Sequence, residues 1–170
     1  MGIPSTYPST YTDINETGCC PVPNVSDWDR RTIDLDQRFI RRYTRSLVHV
    51  PMNMGSVMTA LQAEADAAGA TMPPDHGLIL SHDLSAWRAE QLYAVSAPVE
   101  GADNVVLQGT FATCVFEGPY GRARDWQVGL VDYARSIGRD VSDVYFFYTT
   151  CPTCAKHYGR NYVIVLGRLV

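Results

Sequence analysis

Two pairs of cysteines carry the clearest chemistry in this chain. Cys151-Pro-Thr-Cys154 lies near its end and Cys19-Cys20 near its start. Four thiolates close a tetrahedral shell around zinc at about 2.3 Å, and a Cys-x-x-Cys loop supplies two of them from one tight turn. The other two then come from the distant Cys19-Cys20 pair. Adjacent residues of an extended chain point to opposite sides, so both bind only where the backbone bends. If only one binds, His157 is the natural fourth ligand. Three other chemistries compete. A redox dithiol uses a helix N-terminus to activate its first thiol, and the span from Cys154 to the last strand is too short for the long helix of that kind of fold. A catalytic metal uses three thiolates and leaves a position open for water. Ordinary buried thiols are the fourth reading; it suits the mid-strand Cys114 and is a poor account of two tight pairs. The reading adopted is a structural zinc site at Cys19, Cys20, Cys151 and Cys154 that ties an N-terminal arm to the last hairpin.

The second set of residues suggests a ligand. Trp87, Tyr93, Tyr120, Trp126, Tyr145 and Tyr148 lie on elements expected to border a cleft, and aromatic walls suit a flat or hydrophobic molecule. Trp126 and Tyr133 also fit the buried stripe of a helix. Glu117 ends a strand just before Gly118-Pro-Tyr-Gly. Partly desolvated, it would act as a general acid or base; as a solvated strand end, it would not. His49 titrates near neutrality if it faces the ligand, and is a structural strand residue otherwise. Glu90 and Asp83, near Trp87, are further acidic candidates. No Ser-His-Asp order, phosphate loop or dinucleotide glycine pattern is present.

The elements that must position these groups follow from periodicity. Residues 1–37 read as an extended, Pro- and Ser-rich arm, loose over its first dozen residues, pinned from Cys19 onward and anchored by Trp28. A strand is predicted over 38–51. A helix follows on Met54, Val57, Met58, Leu61, Ala65 and Ala68, with Gly69 at its C-terminal cap. Two strands flank Trp87, one over 77–81 and one over 91–99. A strand through Gly109–Glu117 alternates its faces. A second helix carries Trp126, Leu130, Tyr133, Ala134 and Ile137 and ends at Gly138. Val144–Tyr148 and Tyr162–Leu169 are the last strands, with the Cys-x-x-Cys at the tip between them.

The order strand, helix ended by glycine, strand, strand thus occurs twice. It predicts an α+β fold of two βαββ repeats, 38–102 and 103–170. Their antiparallel sheets would join, with two helices on one face and a cleft between the halves. Gly109-Thr-Phe-Ala-Thr-Cys-Val-Phe-Glu-Gly-Pro-Tyr120, the helix with Trp126, the strand, the loop with Pro152 and the final strand resemble the C-terminal half of GyrI-like small-molecule-binding domains. That fold is related to the SOUL haem-binding proteins, and the resemblance covers roughly 38–170. It implies binding of hydrophobic or cationic small molecules and, in one branch, hydrolysis of reactive electrophiles. Arg160-Asn161 stands where the family often carries an acidic residue. The Cys-Cys-Pro and Cys-Pro-x-Cys-Ala-Lys motifs resemble a bacterial subfamily labelled as hydrolases.

Bulk composition sets the outer limits. The 170 residues carry a net charge of −4 and are 46% hydrophobic and 19% charged, enough apolar content for a real core. The charge argues against a nucleic-acid surface, and Arg38, Arg41, Arg42 and Arg45 read as one solvated face. No run is long and apolar enough for a membrane span, and the N-terminus lacks a signal-peptide pattern. An odd cysteine count without such a signal fits a reducing cytoplasm. The sequence therefore predicts a cytoplasmic monomer or homodimer. Its expected function is hydrolysis of a hydrophobic or electrophilic compound, with Glu117 activating water. Non-catalytic binding of such a compound and thiol redox chemistry are the alternatives.

Overall fold

The structure is a computed structural model that describes residues 7–48 and 50–170. The site expectation at His49 lies outside the described residues. A short helix α1 (Val25–Trp28) leads into strand β1 (Arg31–Leu47), a two-residue β2 (Val50–Pro51) and helix α2 (Met54–Ala67). Then come β3 (Ile79–Ser85), β4 (Arg88–Ala94), β5 (Asp103–Glu117), α3 (Ala123–Ser136), β6 (Val141–Tyr148), α4 (Pro152–Tyr158) and β7 (Tyr162–Leu169). Among the described residues no helix is long and apolar enough to cross a membrane.

Six strands run β1-β4-β3-β6-β7-β5, all antiparallel, and β5 pairs back to β1. The sheet is therefore a closed barrel. The joined antiparallel sheet expected from the sequence thus closes on itself, with α2 and α3 both on its outer face. Closure comes from strand length. The ladder between Arg31–Arg41 and Asp103–Thr113 uses residues of β1 that read as arm. The alternation Ile33, Leu35 against Asp34, Asp36 is the period-2 signal of that strand. On the other side, β3 meets β6 at one register pair, Ser81 with Phe146.

Each strand has an inner and an outer face. Leu35, Phe39, Leu80, Leu92, Phe111, Phe147, Ile164 and Leu166 fill the barrel. Outside, Ala112, Cys114, Val163 and Val165 lie under Trp126, Leu130 and Ala134 of α3. Ile40, Val95 and Tyr93 lie under Val57, Leu61 and Ala65 of α2. Both faces of β7 are thus buried, which is why its sequence is a nearly continuous apolar run. Gly69 and Gly138 end the two helices in left-handed conformations (φ 63° and 77°). The bonds Ala70 N–H to Ala65 O and Arg139 N–H to Ala134 O close both ends in the same way, each at 2.9 Å.

Gly167 lets α3 approach the sheet. A Cβ there would stand 2.7 Å from Leu130 Cδ2 and 3.0 Å from Val141 Cγ1. Gly167→Val is expected to destabilise the fold by about 1–3 kcal/mol through overpacking, read as a lower urea midpoint at unchanged slope. An unchanged midpoint would show that α3 yields without cost.

The arm is fixed earlier than its composition suggests. Tyr7 is buried and donates its hydroxyl to His76 O at 2.7 Å. Thr10 bonds Asp75 O through its backbone N–H and Gly77 O through its hydroxyl. Tyr11 donates to Thr149 O at 2.7 Å and meets Phe147 edge-on. Trp28 is fully buried, as its anchoring role requires, with Nε1–H on Ser9 O at 2.9 Å. The arm so closes the barrel end at which β6 finishes.

Candidate metal centre and ligand face

The Cys19-Cys20 bend is made by local hydrogen bonds. Thr17 Oγ1 accepts from the N–H groups of Cys19 (3.2 Å) and Cys20 (3.3 Å). Gly18 between them takes φ 71°, a left-handed value that favours glycine. The turn sends both thiols the same way, with their sulfurs 3.7 Å apart. On the other side Cys151 is the N-cap of α4, its sulfur accepting the Cys154 N–H at 3.5 Å. The Cys-x-x-Cys thus opens a short helix rather than a plain hairpin tip. Pro152 in the first turn is compatible with that start because its missing N–H is not needed there. Gly159 ends the helix at φ 70°.

All four sulfurs lie within 4.8 Å of one another. A tetrahedral zinc thiolate with bonds of 2.3 Å has sulfur–sulfur edges of about 3.8 Å, so a small contraction completes the shell. The donor set is wholly thiol and suits a soft or borderline metal. His157 is not one of the group; its Nε2 lies 3.3 Å from Glu16 Oε2. Tyr158 locks the two halves of the site together. Its hydroxyl donates to Cys20 O at 2.8 Å and accepts from Glu16 N–H at 3.2 Å.

Electrostatics favour a cation here. The Thr17 hydroxyl, 3.3 Å from Cys154 Sγ, holds that thiol down to about 7. Burial pushes Cys20 up to about 12. The Cys154 thiolate forms readily while Cys19 and Cys20 are pushed up, and a metal ion would offset the repulsion among thiolates gathered here.

The aromatic residues are spread over several environments. Tyr120 and Tyr148 meet edge to face at 5.4 Å beside the cysteines, and Tyr120 donates to Thr150 O at 3.3 Å. Burial, then proximity to Cys151, raises the Tyr120 hydroxyl; burial and Asp83 push Tyr148 up to about 12. Trp126 is buried on the sheet-facing side of α3 and stacked on Phe116. Tyr145 faces the barrel interior and Tyr93 packs beneath α2. Trp87 is 61% exposed on the β3–β4 hairpin. Glu117 is exposed at the end of β5, paired in register with Tyr162. The structure therefore brings Tyr120 and Tyr148 together and leaves Trp87, Tyr93 and Tyr145 apart from them.

A family model described as bacterial hydrolase matches residues 10–169. The chain belongs to this family. The match takes in the arm from residue 10 onward, both cysteine pairs and the whole barrel. Membership of the bacterial hydrolase family agrees with a GyrI-like fold. The EcmrR C-terminal domain is similar over 84% of this chain and 98% of its own, with 13% identity and a TM-score of 0.65. A hydrolase from Listeria innocua is similar over 84% and 92%, with 10% identity and a TM-score of 0.60. SAV2435, solved bound to tetraphenylphosphonium, is similar over 84% and 94%, with 12% identity and a TM-score of 0.50. At these identities the likeness is one of fold. EcmrR is also known in a DNA complex, in which the present chain covers 57% of the longer EcmrR chain. The charge argument against nucleic acid thus concerns this chain alone. Comparison with curated proteins returns no match.

Sequence reasoning passed over Thr17 and His82. Thr17, two residues before Cys19 and next to a glycine, had a local signal as a turn-forming hydroxyl. His82 alternates with Leu80 on β3, but its partners come from other strands.

Proposed function

We propose that the chain is a small-molecule-binding member of the bacterial hydrolase family whose N-terminal arm is clamped by a structural zinc ion on Cys19, Cys20, Cys151 and Cys154. The approach of all four sulfurs to within 4.8 Å carries the metal part of this reading. A redox dithiol would need only Cys151 and Cys154, and gives no reason for the other pair to be there. The residues fit zinc: four thiols, no carboxylate, and a closed shell without a water position, which is the structural type. The two strand–helix–strand–strand halves, β1-α2-β3-β4 and β5-α3-β6-β7, support an origin as two βαββ repeats.

The ligand is a hydrophobic compound held against Tyr120 and Tyr148, where one ring is 40% exposed and its partner stands edge-on. Trp126 backs this face, while Trp87, Tyr93 and Tyr145 are remote from it. Tetraphenylphosphonium is a suitable probe, measured by calorimetry. Tyr148→Ala is expected to weaken its binding at least tenfold, in line with about 1–3 kcal/mol for a lost buried aromatic contact. Equal affinity for the variant would remove this face from the reading.

Hydrolysis is the second reading, favoured by the family's description. Glu117 is its proposed water-activating carboxylate. Turnover lost in Glu117→Gln, with probe binding retained, assigns it that role; turnover retained hands the role to another base.

A further inference from the structure

The barrel has a second end, opposite the arm, and each of the six barrel strands contributes an ionisable side chain to it. Arg41 of β1 pairs with Asp103 of β5 at 2.9 Å and with Glu90 of β4 at 3.3 Å. Glu90 Oε1 lies 2.8 Å from His82 Nδ1 on β3. The far nitrogen, His82 Nε2, faces Asp143 of β6 at 3.7 Å, and Asp143 approaches Arg168 of β7 at 4.0 Å. The His82 ring packs against Tyr145 at 4.6 Å between centroids. Arg168 donates to Gln108 O and lies over Phe111. A Cβ at Gly109 would stand 3.0 Å from its Nη1, so glycine leaves room for that guanidinium.

We propose that His82, oriented by Glu90, is the general base of a hydrolytic site at this far end of the barrel, acting on small neutral carbonyl electrophiles such as esters. This rests on the hydrolase reading and assigns its water-activating role to His82 in place of Glu117, which is exposed at the end of β5. A carboxylate on Nδ1 fixes the tautomer, with Nδ1–H donating to Glu90 and Nε2 left as the base. The same arrangement stabilises the imidazolium that forms. Glu90 is held below the usual carboxylate range, first by the His82 hydrogen bond and also by the nearby Arg41 guanidinium, against the effect of burial. Its side chain is 12% exposed and that of His82 18%. The pair is shielded yet still reached by water. Asp143 and Arg168 stand beside it with side chains 42% and 28% exposed. Tyr145 and Arg168 are the donors available to a developing oxyanion; burial and Asp143 raise the Tyr145 hydroxyl, so it keeps its proton.

The step balances without a further reagent. Water oxygen bonds to the carbonyl carbon while its proton passes to His82 Nε2 and the carbonyl electron pair moves to oxygen. Collapse of that oxyanion expels the alcohol oxygen, which takes the proton back from Nε2. Acid and alcohol leave. Glu90 touches neither substrate nor reacting atoms and is a positioning residue.

The test uses 4-nitrophenyl acetate with the full-length protein. Wild type is expected to turn the ester over with saturation and faster than an equal concentration of free imidazole, with the groups facing His82 — Glu90, Asp143, Tyr145, Arg168 and, through Glu90, Arg41 — shaping the pH profile. His82→Gln is expected to lower kcat about 100-fold or more, the range for losing a general base, and to abolish the pH dependence. His82→Ala is expected to regain activity with added imidazole, which a structural role would not allow. Glu90→Gln is expected to lower kcat roughly tenfold with KM unchanged. Wild-type turnover that survives in folded His82→Gln overturns the proposal and leaves the hydrolase reading standing. Wild type no faster than imidazole, with tetraphenylphosphonium still bound, overturns both and leaves the binding reading.

Discussion

Protein purified without added metal is expected to carry about one zinc per chain, and Cys151→Ser to lose most of it together with the fixed arm. The expected loss of stability is on the order of 4–5 kcal/mol, the class of effect that follows removal of a metal site. The reason is geometric. The segment 13–20 is tied to the body of the protein mainly through the four sulfurs, the bonds of Tyr158 to Cys20 and Glu16, and the Thr17–Cys154 contact. All of these depend on the position of α4 relative to the Thr17–Cys20 turn. Without a cation, four thiols crowded within 4.8 Å repel once more than one ionises, and they cannot all be satisfied by one another. Limited proteolysis reads the arm directly, and elemental analysis reads the metal. An arm as resistant in Cys151→Ser as in wild type would end the clamp interpretation even if zinc were found. Absence of zinc with a Cys151–Cys154 disulfide would transfer the site to redox chemistry.

Trp28→Ala is expected to be the most damaging apolar truncation in the arm, by about 3–5 kcal/mol. The indole is fully buried in the barrel cluster and its N–H is satisfied by Ser9 O. Its own carbonyl accepts the Thr113 hydroxyl at 2.6 Å. Tyr7 packs against it with ring centroids 6.0 Å apart. Truncation therefore opens a cavity at the closed end of the barrel and removes the bond that holds Ser9. Chemical denaturation at unchanged slope measures the loss. If Trp28 and the metal site both act by fixing the arm, Trp28→Ala and Cys151→Ser combined will cost less than their sum, because an arm already released has little left to lose. Strict additivity would show that the two ends of the arm are held independently.

Much of this protein is written locally in its sequence. The helices α2 and α3 follow from 3.6-residue stripes and from glycines that adopt the left-handed cap, and β3 to β7 follow from period-2 or continuous apolar runs. The Cys-x-x-Cys spacing marks a metal-type loop, and Trp28 marks an anchor. Each of these signals involves residues within a few positions of one another, so the chain states them without reference to its fold. Barrel closure was hidden because Ile33 and Leu35 alternate with charged residues in a stretch whose prolines and polar residues read as arm. Only the long ladder to β5 reveals Arg31 as the start of a strand. The expected aromatic cleft depended on which face each ring takes, and only closure of the joined sheet decides that. Closure sends Tyr145 inside, Tyr148 outside and Trp87 to a hairpin tip. The ring of ionisable groups at the far mouth had no sequence signature at all, since its members come one from each strand. The cysteine pairs had a signature but no stated meeting place. The sequence supplied the thiols and a threonine–glycine turn to aim one pair; the tertiary fold alone brought that turn against the N-terminus of α4, because non-local distances are set by packing and not by spacing along the chain.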